Sequence, residues 1–122
     1  GQDIISSLHK VRPMYESNSI AIAVLDMMID KFDHVNDSVK RIQHGMDYFL
    51  DELKKDGFKV IKGFGNFSHV MFGSQENIIH NKLKNKVLYK QRIEHESLKG
   101  YSRFSAAPIE IMEKVIFLIR KK

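Results

Sequence analysis

The segment from Ser19 to Lys31 puts the strongest constraint on what this chain can fold into. Ile20, Ala21, Ile22, Ala23, Val24 and Leu25 run together, and Met27, Met28 and Ile29 follow after a single Asp26. Ser17 or Asn18 can cap a helix here. A helix that is apolar all round must be covered all round. A chain of 122 residues makes one domain at most. The helix is therefore expected to pack against something outside the chain, a larger domain or a second subunit. The other solution is a central helix in a small bundle. The run Ile20 to Leu25 is far too short to span a bilayer. No charged-then-apolar leader opens the chain, so no membrane partner is expected.

The remaining segments alternate between the two periodicities. Ile4 to Arg12 is a short amphipathic piece that Pro13 should end. Asp33 to Asp56 carries Val35, Val39, Ile42, Met46, Phe49, Leu50 and Leu53 at spacings of three and four, the stripe of a half-buried helix. Asp33 and Asp37 suit its start, and Lys54 and Lys55 its last turn. Gly57 is its stop. Phe58 to Lys62 and Asn66 to Phe72 read as strands around a Gly63-Phe64-Gly65 turn. Phe67, His69 and Met71 should share one face of the second, and Ser68, Val70 and Phe72 the other. Ser74 should cap a helix from Gln75 to about Lys84. Val87 to Ile93 reads as a third strand that groups Leu88, Lys90 and Arg92. After a polar loop and a turn at Gly100, Tyr101 to Ala107 alternates once more, with Tyr101, Arg103 and Ser105 on one face. Pro108 suits the first position of a closing helix that runs to Lys122. The expected architecture is α+β, a small and mainly antiparallel sheet with helices on one face, in the order ααββαββα.

Composition excludes several chemistries. With no cysteine, disulfides and thiolate metal sites are ruled out, and a cytoplasmic location is compatible with that. The net charge of +5 is mild and the lysines are interleaved with acids, so a solvated surface is expected and no nucleic-acid partner. The strand aromatics match neither ribonucleoprotein consensus and are expected in the core. Six histidines are present, yet no pair has a metal-binding spacing with a carboxylate companion, so His69 is expected to be structural. Asp47 and Asp51 share a charged, wet helix face. Gly63-Phe64-Gly65 is not a phosphate loop, and no nucleophile motif occurs. What remains is a pair of strand arginines, Arg92 and Arg103. Each is either a solvated rim residue or a fixed fork for a carboxylate or phosphate.

The order of these pieces resembles the C-terminal part of fold type I, pyridoxal-phosphate-dependent aminotransferases, in the subfamily that contains histidinol-phosphate aminotransferase and threonine-phosphate decarboxylase. The residues that carry the likeness span nearly the whole chain. They are Leu8 to Pro13 followed by Asn18 and the apolar helix; the long helix ending in Leu50-Asp51-Glu52-Leu53 and Gly57; Gly65-Asn66-Phe67 and the strand after it; and Val87 to Arg92 with Gly100 to Ala107. One departure is Ala107, where the family usually has glycine.

The resemblance implies that residues 1–31 are an interdomain segment with a connecting helix, and residues 32–122 the small domain. It implies that Arg103 binds the substrate α-carboxylate. Arg92 would meet a substrate phosphate, and Asn66 would support the site. The Schiff-base lysine and the cofactor contacts would lie in a large domain upstream, outside this chain. The parent would then be a pyridoxal-phosphate-dependent homodimer acting on an amino acid and a 2-oxo acid. The chain alone would be inactive and hold no cofactor, and no catalytic residue would lie in it. Either removal of an initiator or a start inside a longer protein accounts for Gly1. On the residues alone, a freestanding α+β binding or regulatory module, or a ligand-free interaction domain, also fits.

Overall fold

The computed structural model describes residues 2–11 and 18–121. The role of Pro13 as a helix stop, and the connector up to Ser17, lie outside the described residues. The chain divides into two units, one ending at Asn36 and one beginning at Asp37.

The first unit holds α1 (Gln2–Val11), α2 (Ser19–Asp30) and the start of α3 (Phe32–Lys55). Asn18 is the cap of α2: its Oδ1 accepts from the Ala21 amide at 2.8 Å. The apolar girdle of α2 has no cover. None of its residues is buried, and Ile20, Leu25 and Ile29 are 76%, 58% and 61% exposed. The small-bundle alternative for this helix is therefore not what forms.

The second unit is α+β. It continues α3 into β1 (Lys59–Lys62), β2 (Phe67–Met71), α4 (Glu76–Leu83), β3 (Ser102–Ser105) and α5 (Ile109–Arg120). The sheet is antiparallel in the order β1-β2-β3. Gly57 stops α3 with a φ of +86°; its amide donates to Lys54 O at 2.9 Å, and the Phe58 amide donates to Leu53 O at 3.0 Å. That is a paired C-terminal cap which a residue with a Cβ would strain.

One sheet face carries the core. Ser68 and Val70 of β2, and Ser102 and Phe104 of β3, are buried against Met46, Phe49, Leu50 and Leu53 of α3, Ile79 and Leu83 of α4, and Met112, Val115, Ile116 and Ile119 of α5. Phe104 is the centre of an aromatic cluster. It stacks on Tyr89 at 4.6 Å and meets Phe49 at 5.2 Å and Phe72 at 6.0 Å. The buried Ser68 hydroxyl donates to the Met46 sulfur at 3.0 Å. Among the described residues no buried side-chain polar atom lacks a partner.

Gly45 allows α3 to lie directly on the corner between β3 and α5. A Cβ there would stand 2.1 Å from Ala107 O and 2.6 Å from Ile109 N.

Three expectations are corrected. Val87 to Ile93 does not form a strand: among these residues only Lys90 makes a bridge, to Arg103. The reason is an interruption at Arg92, whose φ is +45°, so that Ile93 rather than Arg92 donates to Tyr101 O. The element order of the chain is therefore αααββαβα, still α+β but one strand short and one helix longer at the start. Ser74 does not cap α4; it lies inside a short 3-10 turn, Gly73–Gln75, and Gln75 takes the cap position with no side-chain bond. Pro108 stands one residue before α5, where its carbonyl accepts from the Ile111 and Met112 amides.

Candidate functional site

The sheet face away from the core is open, and alternation along β3 decides what stands on it. Ser102 and Phe104 are drawn into the core, so Arg103 and Ser105 must point outward. Register then places neighbours. Arg103 pairs with His69 of β2, and His69 pairs on its other side with Ile61 of β1. On the far side Arg103 pairs with Lys90: the Arg103 amide donates to Lys90 O at 2.7 Å, and the Lys90 amide to Arg103 O at 3.1 Å. One row across the sheet thus reads Ile61, His69, Arg103, Lys90.

The Arg103 guanidinium carbon lies 5.2 Å from the centre of the Phe67 ring, inside the range of cation–π attraction. The His69 ring meets Phe67 edge-on at 5.5 Å. Burial, and then the Arg103 charge, hold the His69 imidazole below its usual value. Among the described residues Arg103 has no acidic partner. Its five donors are therefore open to an anionic ligand.

Arg92 is engaged elsewhere. Its Nε lies 3.3 Å from Glu76 Oε1, and its Nη2 donates to Asn77 Oδ1 at 3.0 Å, both on the first turn of α4. The positive φ at Arg92 turns it out of the alternation that would have grouped it with Lys90. Asn66 accepts the Ala106 amide on its carbonyl at 2.7 Å, which extends the β2–β3 ladder by one rung.

Beside Asn66 lies a cavity of about 640 Å³, lined mainly by Val39, Ile42, Met46, Phe64, Phe67 and Ala106. A cradle for pyridoxal phosphate needs a lysine free to form an imine and several donors for a phosphate. Lys62 borders the cavity but is held by Asp47, and the rest of the lining is largely apolar. The cavity does not fit that cofactor. Among the described residues no group of three or more histidine or acidic side chains is arranged to hold a metal ion. No helix of the described chain is long and apolar enough to cross a membrane.

Comparison with known proteins now adds to this geometry. The model of the family described as aminotransferase class I and II matches residues 2–116. The chain belongs to that family. The chain is 25% identical over 118 residues to a histidinol-phosphate aminotransferase of Clostridium novyi (strain NT), covering 96% of the chain and 33% of that protein. It is 31% identical over 65 residues to a histidinol-phosphate aminotransferase of Geotalea daltonii, covering 53% of the chain and 19% of that protein. The chain thus spans a third or less of the length of the curated relatives it matches.

Reading the residues one at a time missed two of the features that shape this face. The pairing of Lys90 with Arg103 is non-local, and nothing within either segment specifies it. Phe67 was legible as a face residue of its strand, but not as the ring beside Arg103.

Proposed function

We propose that this chain is the C-terminal small domain of a pyridoxal-phosphate-dependent aminotransferase, and that Arg103 is its clamp for the carboxylate of an amino acid or 2-oxo acid. The observation that carries the reading is Arg103 itself: a guanidinium on a packed strand, beside Phe67, with no acidic partner among the described residues. A planar fork binds a carboxylate through two parallel N–H···O bonds, which sets orientation as well as affinity.

The chain's own task in this reading is to bind and orient. In this reading the cofactor and the lysine that carries it belong to the large domain, outside these residues. The uncovered girdle of α2 supports the same reading, since a large domain or a second copy of the parent would bury it. The parent is read as a cytoplasmic homodimer. Asn66 supports the corner between β2 and β3. Arg92, held by Glu76 and Asn77, would meet a substrate phosphate only after leaving those partners.

The test is steady-state kinetics of the full-length parent. Arg103→Ala should cost about 2–5 kcal/mol in kcat/KM for the amino acid, the range for truncating one partner of a buried charge pair. Arg103→Lys should recover part of it, because it keeps the charge and loses the fork. Unchanged kinetics in Arg103→Ala would remove Arg103 from the substrate site.

A further inference from the structure

The apolar stripe of α3 is only half covered. Met46, Phe49, Leu50 and Leu53 are buried, but Val39 is exposed and Ile42 is partly open. Val39, Ile42 and Met46 line the cavity of about 640 Å³, and the loop between β1 and β2 lines it with them. That loop carries Phe64. A turn built on Gly63 and Gly65 has no need of an aromatic residue, yet Phe64 stands there fully exposed, and neither neighbour has a side chain to shield it. Phe64 borders the cavity without filling it. A Cβ on Gly65 would meet the Phe67 ring at 3.2 Å, so glycine there lets Phe67 lie against the turn and add a second ring to the lining.

An uncovered ring and an uncovered apolar seat thus occupy one patch. Such a patch is self-complementary: across a twofold axis each copy offers its ring to the seat of the other. The charges at the rim suit the same symmetry. Lys62 and Asp47 are paired there, and each side chain is about half exposed. A twofold that sets one such pair against another brings each cation toward an anion, so no unmatched charge is buried. We propose that the β1–β2 loop and the part of α3 from Val39 to Met46 form a twofold interface between copies of this chain, with Phe64 of each copy seated in the cavity of the other. The interface uses neither Arg103 nor a substrate, and so goes beyond the aminotransferase reading. A buried aromatic side chain removes about 150–250 Å² from water. Two such rings with their aliphatic seats fall short of the roughly 800 Å² per partner of a stable complex. The association is therefore weak, with a Kd of about 0.1 mM.

The experiment is sedimentation equilibrium of the 122-residue chain at low ionic strength, from about 10 μM to about 1 mM. A monomer–dimer equilibrium is expected. Phe64→Ser should weaken it at least about tenfold, the scale of truncating an interface hot spot. Phe64 is exposed, so this variant should keep its fold, and far-UV circular dichroism checks that it does. The apolar girdle of α2 is the competing surface, and Leu25→Gln should leave the dimer unchanged. A dimer that survives Phe64→Ser, or that Leu25→Gln removes, overturns the proposal. So does a chain that stays monomeric at about 1 mM, which assigns the cover of the cavity to a segment outside this chain. The rim charges give a second test. Asp47→Lys and Lys62→Asp should each weaken self-association. An equimolar mixture of the two should associate more tightly than either alone, because two cations then face two anions. A mixture no tighter than its components overturns the twofold arrangement.

Discussion

Replacing Gly45 with alanine tests the most demanding contact in the fold. The added Cβ would lie 2.1 Å from the Ala107 carbonyl oxygen and 2.6 Å from both Ile109 N and the Pro108 carbonyl carbon. All three are backbone atoms on the β3–α5 corner, so no side chain can swing away. Relief requires α3 and the corner to separate by about 1 Å, which loosens the interdigitated core on either side. Overpacking of this kind costs about 1–3 kcal/mol and sometimes more. Alanine returns about 1 kcal/mol of helix propensity in the middle of α3. Because the clash is with backbone on several sides, the upper part of the range applies, and the net loss should be about 2–4 kcal/mol. The assay is urea unfolding followed by far-UV circular dichroism, since the chain has no tryptophan. Gly63→Ala is the control: a Cβ there meets nothing nearer than 3.9 Å, and it should be neutral or gain about 0.4–1 kcal/mol through the unfolded state. A Gly45→Ala chain as stable as the parent sequence, with an unchanged denaturant slope, would refute the close approach of α3 to residues 107–109.

Three further outcomes follow from particular contacts. His69 should titrate below 6.5, because burial and then Arg103 oppose its protonation; Arg103→Ala should raise the midpoint only in part, as read by imidazole NMR. Since its folded value is depressed, the unfolded chain takes up the proton first. The stability it contributes is fully present above pH 6.5 and declines as pH falls through the folded value, and His69→Gln should flatten that slope. Arg120 ties α5 to the end of α3 through Asp56 at 2.9 Å and Glu52 at 2.8 Å; Arg120→Met should lower Tm modestly, and the difference should shrink in high salt because the side chain is 42% exposed. Phe49→Ala deletes a fully buried ring that meets Phe104 at 5.2 Å; it should cost about 3–5 kcal/mol in the same urea assay, and a loss below about 1 kcal/mol would mean the site is not packed as described.

Much of the fold was legible because it is local. The stripe Met46, Phe49, Leu50 and Leu53 faces the core as its spacing of three and four requires, while Val39, expected in the same stripe, is exposed. The alternation of Ser68 and Val70 against Phe67 and His69, and of Ser102 and Phe104 against Arg103, follows from a strand's period of two. Gly57 stops its helix where a left-handed residue was needed. The exposed girdle of α2 was legible too, since no amphipathic face could be drawn on it. Arg103 could be read as an outward-pointing cation on these grounds alone.

Partners in space were beyond local reading. Residues 87–93 have the composition of a strand, but strands exist only by pairing, and the turn at Arg92 breaks the ladder after one bridge. The same turn sends Arg92 to Glu76 and leaves Lys90 as the cation opposite Arg103. Gly45 looked like a weak point in a helix until a corner more than sixty positions away in the chain was seen to lie against it. Sequence by itself determined which way each side chain faces along its own element, because backbone periodicity is a property of neighbouring residues. Only the tertiary structure decided which charges and rings meet, because register and packing join segments whose separation along the chain carries no record of their distance in space.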